Sequence, residues 1–304
     1  MSASLAELAG ILSERRNPRS MQIDTMDTLG ILDCINTEDQ TVPLAIAKVL
    51  PDIAVVVDTV VTQLQQGGRL FYIGAGTSGR LGILDAVECR PTFSVGDELV
   101  QGLIAGGEQA LTSAVEGAED NHAAGADDLK AKAITAHDVV LGIAASGRTP
   151  YVLGALQYAR SLGCPAFALS CNPNGAINQL ADHAIAVAVG PECLTGSTRM
   201  KAGTAQKLVL NMLSTAVMIR LGKTYENLMV DVNASNDKLR VRAKQIVIEA
   251  TGCNEQEAEQ ALTNSSYSAK TAILMLLKSV TAEEATNLLN KHAGFLRHAL
   301  QDEG

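Results

Sequence analysis

Three short stretches carry residue types that could hold a phosphate. The first is Gly74-Ala75-Gly76-Thr77-Ser78-Gly79-Arg80, which follows an apolar run and precedes helically spaced residues from Leu81. The second is Ala145-Ser146-Gly147-Arg148-Thr149-Pro150, and the third is Thr195-Gly196-Ser197-Thr198-Arg199-Met200-Lys201-Ala202-Gly203-Thr204. Glycine lets main-chain amides approach a ligand closely, and a helix start presents unpaired N–H groups at the positive end of its dipole. Thr77, Ser78, Ser146, Thr149, Ser197 and Thr198 add hydroxyl donors beside Gly76 and Gly147, while Arg148 and Lys201 offer local positive charge or serve as ordinary surface residues. Any one such turn could instead be helix N-capping, for which Ser and Thr are favoured. Three at successive strand ends point to a ligand.

Gly74, Gly76 and Gly79 also satisfy G-x-G-x-x-G, the dinucleotide fingerprint. That motif needs an acidic residue about 20 residues on, at the tip of the second strand. The run from Leu99 to Ala105 instead leads into Gly106-Gly107, with Glu108 too late. No nucleotide cofactor is expected.

The elements that position these loops are legible from periodicity. Apolar runs at Leu70–Ile73, Val100–Ala105, Val139–Ala144, Ala166–Leu169 and Ile185–Val189 alternate with helix-length segments. The pattern predicts an α/β fold: a five-stranded parallel sheet covered by helices on both faces, with ligands beyond the strands' C-terminal ends. One long helix is expected over Leu44–Gln66, stopped by Gly67-Gly68. Residues 1–44 open with a short amphipathic piece and a turn-rich segment. Their helical spacing stops near Thr41-Val42-Pro43, and they read as a solvated arm or one folded over a partner subunit. Residues 45–225 form the sheet domain. Residues 238–304 lack strand-like runs and carry capping boxes at Asn254/Glu257 and Thr281/Glu284, the mark of a small helical bundle.

Composition narrows the class. The chain has 304 residues, 47% of them hydrophobic but only 3% aromatic, with no Trp. This suits a packed α/β protein and is a poor match for an aromatic stacking platform. A formal charge of −9 argues against nucleic-acid and anionic-membrane partners. The six cysteines (34, 89, 164, 171, 193 and 253) form no C-x-x-C, and the five histidines form no zinc pattern, so reduced thiols and no metal are expected. No basic leader and no membrane-length apolar run is seen, consistent with a cytoplasmic protein.

The loops on such a sheet resemble the sugar isomerase (SIS) domain, a flavodoxin-like phosphosugar-binding module. Further stretches make the resemblance closer: Asp85-Ala86-Val87-Glu88-Cys89, Glu116-Gly117-Ala118-Glu119-Asp120, Asn17-Pro18 and the helical tail, which is similar to a ubiquitin-associated-type three-helix fold. Together they resemble the N-acetylmuramic acid 6-phosphate etherase family over nearly the whole chain. One departure is Arg90 where the family pattern has Pro; Pro91 keeps the expected helix stop.

The resemblance implies a carbon–oxygen lyase of peptidoglycan amino sugar recycling. Its substrate is N-acetylmuramic acid 6-phosphate and its products are N-acetylglucosamine 6-phosphate and D-lactate. An ether is a poor leaving group, so elimination after ring opening, followed by water addition at carbon 3, is the reasonable route. It needs a proton acceptor and a proton donor, which tuned carboxyls can supply. By resemblance these are Glu119, moving the carbon 2 proton, and Glu88, protonating the lactate oxygen. On its own, Glu119 among Glu116, Asp120, Asp127 and Asp128 reads as a solvated helix face, whereas Glu88 beside apolar neighbours is a candidate in its own right.

Ser78 and Glu88 are ten residues apart, about 15 Å along one straight helix. Either the helix unwinds before Glu88, or Glu88 serves the phosphate pocket of a second copy in a homodimer with shared sites. The competing readings are a phosphosugar-sensing regulatory protein without catalysis and an aldose–ketose sugar phosphate isomerase. The glucokinase regulatory protein uses two SIS modules in tandem, where this chain has one. A transcription regulator would need a basic helix-turn-helix that residues 1–66 do not offer.

Overall fold

A computed structural model describes residues 12–232 and 236–302. Of the described residues, those up to Val87 together with Asp97–Ser214 form one compact unit, and Glu88–Gly96 with those from Thr215 onward form a second. Residues 1–11, where the amphipathic opening piece falls, lie outside the described residues.

In chain order the first unit contains α1 (Thr28–Asp39), α2 (Thr41–Ala47), α3 (Leu50–Gln65), β1 (Leu70–Gly74) and the start of α4 (Gly76–Phe93). It continues with β2 (Val100–Ile104), a short α5 (Gln109–Thr112), α6 (His122–Ala131), β3 (Val139–Ala144) and α7 (Pro150–Ser161). Then come β4 (Ala166–Ser170), a short α8 (Ala176–Leu180), β5 (His183–Ala186) and the start of α9 (Lys201–Arg220). The five strands are parallel in the order β2-β1-β3-β4-β5. β1, β3 and β4 are buried along their whole length, which is why they read as continuous apolar runs. The strand order reverses between β1 and β3, so the crevice for a ligand opens beyond their C-terminal ends.

Four expectations need correction. The fifth strand, His183–Ala186, begins two residues before the expected Ile185–Val189 and ends three before it, because β4 ends at Ser170, which pairs with Ala186; past that point Val187 N–H still reaches Ser170 O at 2.8 Å, but Val189 N–H turns back to Val187 O at 2.9 Å. The single helix over Leu44–Gln66 is two. Pro43 sits in the first turn of α2, where its missing N–H costs nothing, whereas Pro51 cannot donate to Ala47 and a new helix starts at Leu50. Pro91 does not stop α4, since the last turn closes through Ser94 N–H to Arg90 O at 2.9 Å and the chain leaves at Ser94 with φ +50. Finally, the segment after residue 12 is no solvated arm. Ser13, Asn17, Ser20 and Glu38 are buried; Asn17 Nδ2 donates to Pro191 O at 3.4 Å and Ser20 Oγ to Cys193 O at 2.7 Å.

The second unit holds α10 (Asp237–Thr251), α11 (Glu255–Asn264), α12 (Ala269–Lys278), α13 (Ala282–Lys291) and α14 (Leu296–Gln301). Both capping boxes are formed, Asn254 with Glu257 and Thr281 with Glu284. Five helices share one apolar core that includes Val247, Leu262, Ile273, Leu274 and Leu296, so the tail is larger than a three-helix fold. The buried Lys270 ammonium donates to Asp231 Oδ2 at 2.8 Å and Gly222 O at 3.0 Å. Among the described residues no helix is long and apolar enough to cross a membrane.

Candidate functional site

The first loop is built by close backbone packing. A Cβ on Gly74 would lie 2.8 Å from Gly79 N, one on Gly79 2.7 Å from Gly74 O, and one on Gly102 2.5 Å from Ile83 Cα. These glycines seat α4 directly on β1 and β2; Gly76, at φ +52, is the one that needs left-handed backbone. The G-x-G-x-x-G spacing thus reflects helix–strand contact at the C-terminal end of β1. Ser78, in the first turn of α4, is buried and donates from Oγ to Gln206 Oε1 at 2.9 Å. Thr77 is half-buried, its methyl 3.4 Å from where a Cβ on Gly203 would sit. Gly203 N–H donates to Thr198 O at 2.9 Å, so the first and third stretches meet here.

The second loop locks onto the turn after β4. Gly147 has φ +71, and a Cβ there would meet Gly175 Cα at 2.6 Å. Asn172 Nδ2 donates to Ser146 O at 3.0 Å, and Arg148 N–H reaches Ser146 Oγ at 3.3 Å. Ser146, Arg148 and Thr149 are half-buried at the mouth of the β1/β3 crevice, with Pro150 opening α7.

The third stretch is held differently from the expectation. Lys201 is not offered to a phosphate: its ammonium is buried and bound to Glu38 Oε2 at 2.6 Å. Glu38 also pairs with Arg19. That guanidinium, followed by Lys201, holds the Glu38 carboxyl down to about 2 against the opposing effect of burial. The first amides of α9 are likewise occupied, because buried Glu192 accepts from Lys201 N–H and Ala202 N–H, both at 2.9 Å. Burial raises the Glu192 pKa, with these two bonds opposing. Ser197 and Thr198 remain half-buried on the preceding turn, where Ser197 N–H donates to Leu194 O at 3.0 Å.

Glu119 is exposed on the single turn Ala118–Asp120, which follows Gly117 at φ +72, rather than on a helix face. The helix after it, α6, crosses α7 with almost no side chain between them. A Cβ on Gly125 would lie 1.9 Å from Tyr151 O and one on Gly154 1.8 Å from His122 O. Tyr151 Oη donates to Asp128 Oδ2 at 2.5 Å across this crossing. Glu88 is exposed on α4, and that helix runs unbroken from Gly76 to Phe93. Unwinding before Glu88 is therefore excluded, and about 15 Å of helix axis separates it from Ser78.

Three residues with structural weight at the site were not singled out from sequence. Gln206 stands on an otherwise apolar stripe of α9 with Ala202, Val209, Leu210 and Leu213, and that interruption was the available signal. Asp85 is buried and accepts from Tyr72 Oη at 3.0 Å, Asn211 Nδ2 at 2.7 Å and Ser214 Oγ at 3.1 Å. Burial raises its pKa while those three donors oppose. Glu192 offered no local signal. Among the described residues no cluster of three or more His, Cys, Asp or Glu could hold a metal ion.

Comparison with known families agrees with this geometry. Residues 111–216 match the SIS domain, residues 52–160 the N-terminal SIS domain of glucokinase regulatory protein, and residues 226–272 the C-terminal lid domain of the same protein. Fold and loops thus define an SIS-domain protein. An N-acetylmuramic acid 6-phosphate etherase of Yersinia pestis (strain Pestoides F) is 60% identical over 293 residues, 96% of this chain and 99% of its own. One of Yersinia pseudotuberculosis serotype I (strain IP32953) matches to the same extent. The chain belongs to the N-acetylmuramic acid 6-phosphate etherase family. Among solved structures, a putative sugar-phosphate isomerase of Listeria monocytogenes str. 4b f2365 superposes with a TM-score of 0.49 at 18% identity, covering 66% of this chain and 94% of that one.

Proposed function

We propose that this chain is a carbon–oxygen lyase of the cytoplasm that cleaves the D-lactyl ether of N-acetylmuramic acid 6-phosphate, a wall-derived amino sugar. The observation that carries this reading is identity of 60% to curated etherases across 96% of the chain. The β1/β3 crevice supports it with hydroxyls and amides of Gly76, Thr77, Ser78, Ser146, Gly147, Thr149, Ser197 and Thr198 for the phosphate, and Arg148 at its mouth. Glu119 takes the carbon 2 proton of the opened sugar, and Glu88 protonates the departing lactate oxygen. Water then adds at carbon 3 to give N-acetylglucosamine 6-phosphate. The unbroken α4 favours a homodimer in which Glu88 of one copy serves the phosphate loops of the other.

The deciding experiment is D-lactate release in deuterated water by the wild type and by Glu88→Ala. Deuterium at carbon 2 of the amino sugar product, with release lost in the variant, is the expected result. For the shared site, mixing Glu88→Ala with Ser78→Ala chains should restore activity that neither shows alone. The matches to both glucokinase regulatory protein domains favour a sensing protein as the second reading. Tight binding of N-acetylglucosamine 6-phosphate without any lactate release would select it.

A further inference from the structure

Gln206 is 1% exposed, and its Nε2 has no hydrogen-bond partner among the described residues, while its Oε1 accepts the hydrogen of Ser78 Oγ at 2.9 Å. A buried amide donor left unpaired is costly, and here it sits beside Ser78, which is 7% exposed in the first turn of α4. A serine hydroxyl has one hydrogen to give. In this arrangement Ser78 gives it to Gln206. A phosphate is an acceptor at neutral pH, so Ser78 can serve it only by turning that hydrogen toward the ligand. Something must then donate to the serine oxygen or leave it bare. A half-turn of the Gln206 carboxamide about its last bond brings Nε2–H to the place Oε1 holds now, since the two arms are nearly the same size. That turn pairs the amide N–H with the serine oxygen and frees the serine hydrogen in one step, the carbonyl oxygen taking the unpartnered place that Nε2 leaves.

We propose that Gln206 sets the hydrogen-bond polarity of Ser78, donating from Nε2 to the serine oxygen when a phosphate oxygen takes the serine hydrogen. Gln206 is a positioning residue, and the proposal rests on the reading of the first loop as a phosphate site. It explains why an amide stands in an apolar stripe: only a group that can both accept and donate at one point satisfies the serine with and without ligand. A carboxylate there would only accept, and would hold the serine hydrogen away from the anion.

The test is calorimetric binding of N-acetylglucosamine 6-phosphate and of inorganic phosphate to the wild type, S78A, Q206E and Q206M, each checked for its melting temperature. S78A should weaken binding at least tenfold, the scale of one charge-assisted hydrogen bond. At pH 8, Q206E should weaken it as much or more. At pH 5 the protonated carboxyl regains a donor, and the ratio of wild-type to Q206E affinity should shrink by several-fold, whereas the ratio for Q206M should stay constant. S78A binding like the wild type would remove the phosphate reading of this loop, and the proposal with it. S78A weak but Q206E unchanged at pH 8 would leave the phosphate site standing and overturn the role of Gln206. Equal, pH-independent weakening in Q206E and Q206M would reduce Gln206 to packing. Should Q206E fail to fold, wild-type binding by folded Q206M would overturn the proposal, as would a loss in Q206M that adds in full to that of S78A in the double variant; a Q206M loss that vanishes in the S78A background would support it.

Discussion

Glu38 and Lys201 meet at 2.6 Å with both side chains 2% exposed, tying the segment before α2 to the turn that carries Ser197 and Thr198. Removing one partner of a buried pair strands the other charge, at a cost of about 3–5 kcal/mol. Glu38→Ala or Lys201→Met should therefore lower the denaturant midpoint sharply, and the double replacement Glu38→Leu/Lys201→Met should recover much of the loss. The Glu38 carboxyl is held down to about 2 from 4.5, so its contribution is complete above 4.5 and drains as the pH falls toward 2. Stability measured across that window should lose part of its acid slope in Glu38→Gln.

Asp85 predicts the opposite pH trend. Burial raises its pKa above 3.8, so the folded state binds the proton more tightly and the group's contribution falls as the pH rises through that shifted value. Asp85→Asn should gain on the wild type as pH rises from 3.8. Asp85→Ala removes the shared acceptor of Tyr72, Asn211 and Ser214 and should cost roughly 2–4 kcal/mol in chemical denaturation.

At the crossing of α6 and α7, a Cβ on Gly154 would press on His122 O at 1.8 Å, and backbone cannot rotate away. Gly154→Ala should destabilise by about 1–3 kcal/mol or more. It should also depress lactate release, because α6 begins three residues after Glu119. Gly107→Ala is the control: a Cβ there meets nothing within 4 Å, and the strain of φ +65 costs only about 1–2 kcal/mol.

Thiol reactivity offers a fourth check. Burial pushes Cys171 up to about 12, with Glu192 adding to it, and Cys193 up to about 12, with Cys34 adding to it. Both stay protonated at pH 8, and the thiolate is the nucleophile. Timed iodoacetamide labelling with intact mass should modify the half-buried Cys34 and Cys253 first, and Cys171 and Cys193 only on unfolding.

The strands and loops were legible because they depend on local pattern: Leu70–Gly74 and Val139–Ala144 are apolar throughout since both sheet faces are covered, and each is followed by its Gly/Ser turn. The capping boxes at Asn254 and Thr281 were legible for the same reason. What escaped depends on residues distant in sequence. Lys201 looks like a phosphate ligand until Glu38, brought from another helix, takes its charge. Glu192 occupies amides at the start of α9 that a reading of the turn alone leaves free. Gln206 acquires meaning only from Ser78, which lies on a different helix.

Gly74, Gly79 and Gly102 bring α4 and its strands into backbone contact, and Gly82 lets the Tyr72 and Ile143 side chains close directly against the helix. A helix seated that closely has little side-chain cushion on which to slide or tilt, so the amides from Gly76 to Ser78 are fixed in place for the phosphate proposed to bind there. Little chain needs to be ordered when the ligand arrives. Association at this loop should then run close to the collision rate instead of waiting for a segment to fold. The heat-capacity change should stay near that of the ligand's own burial.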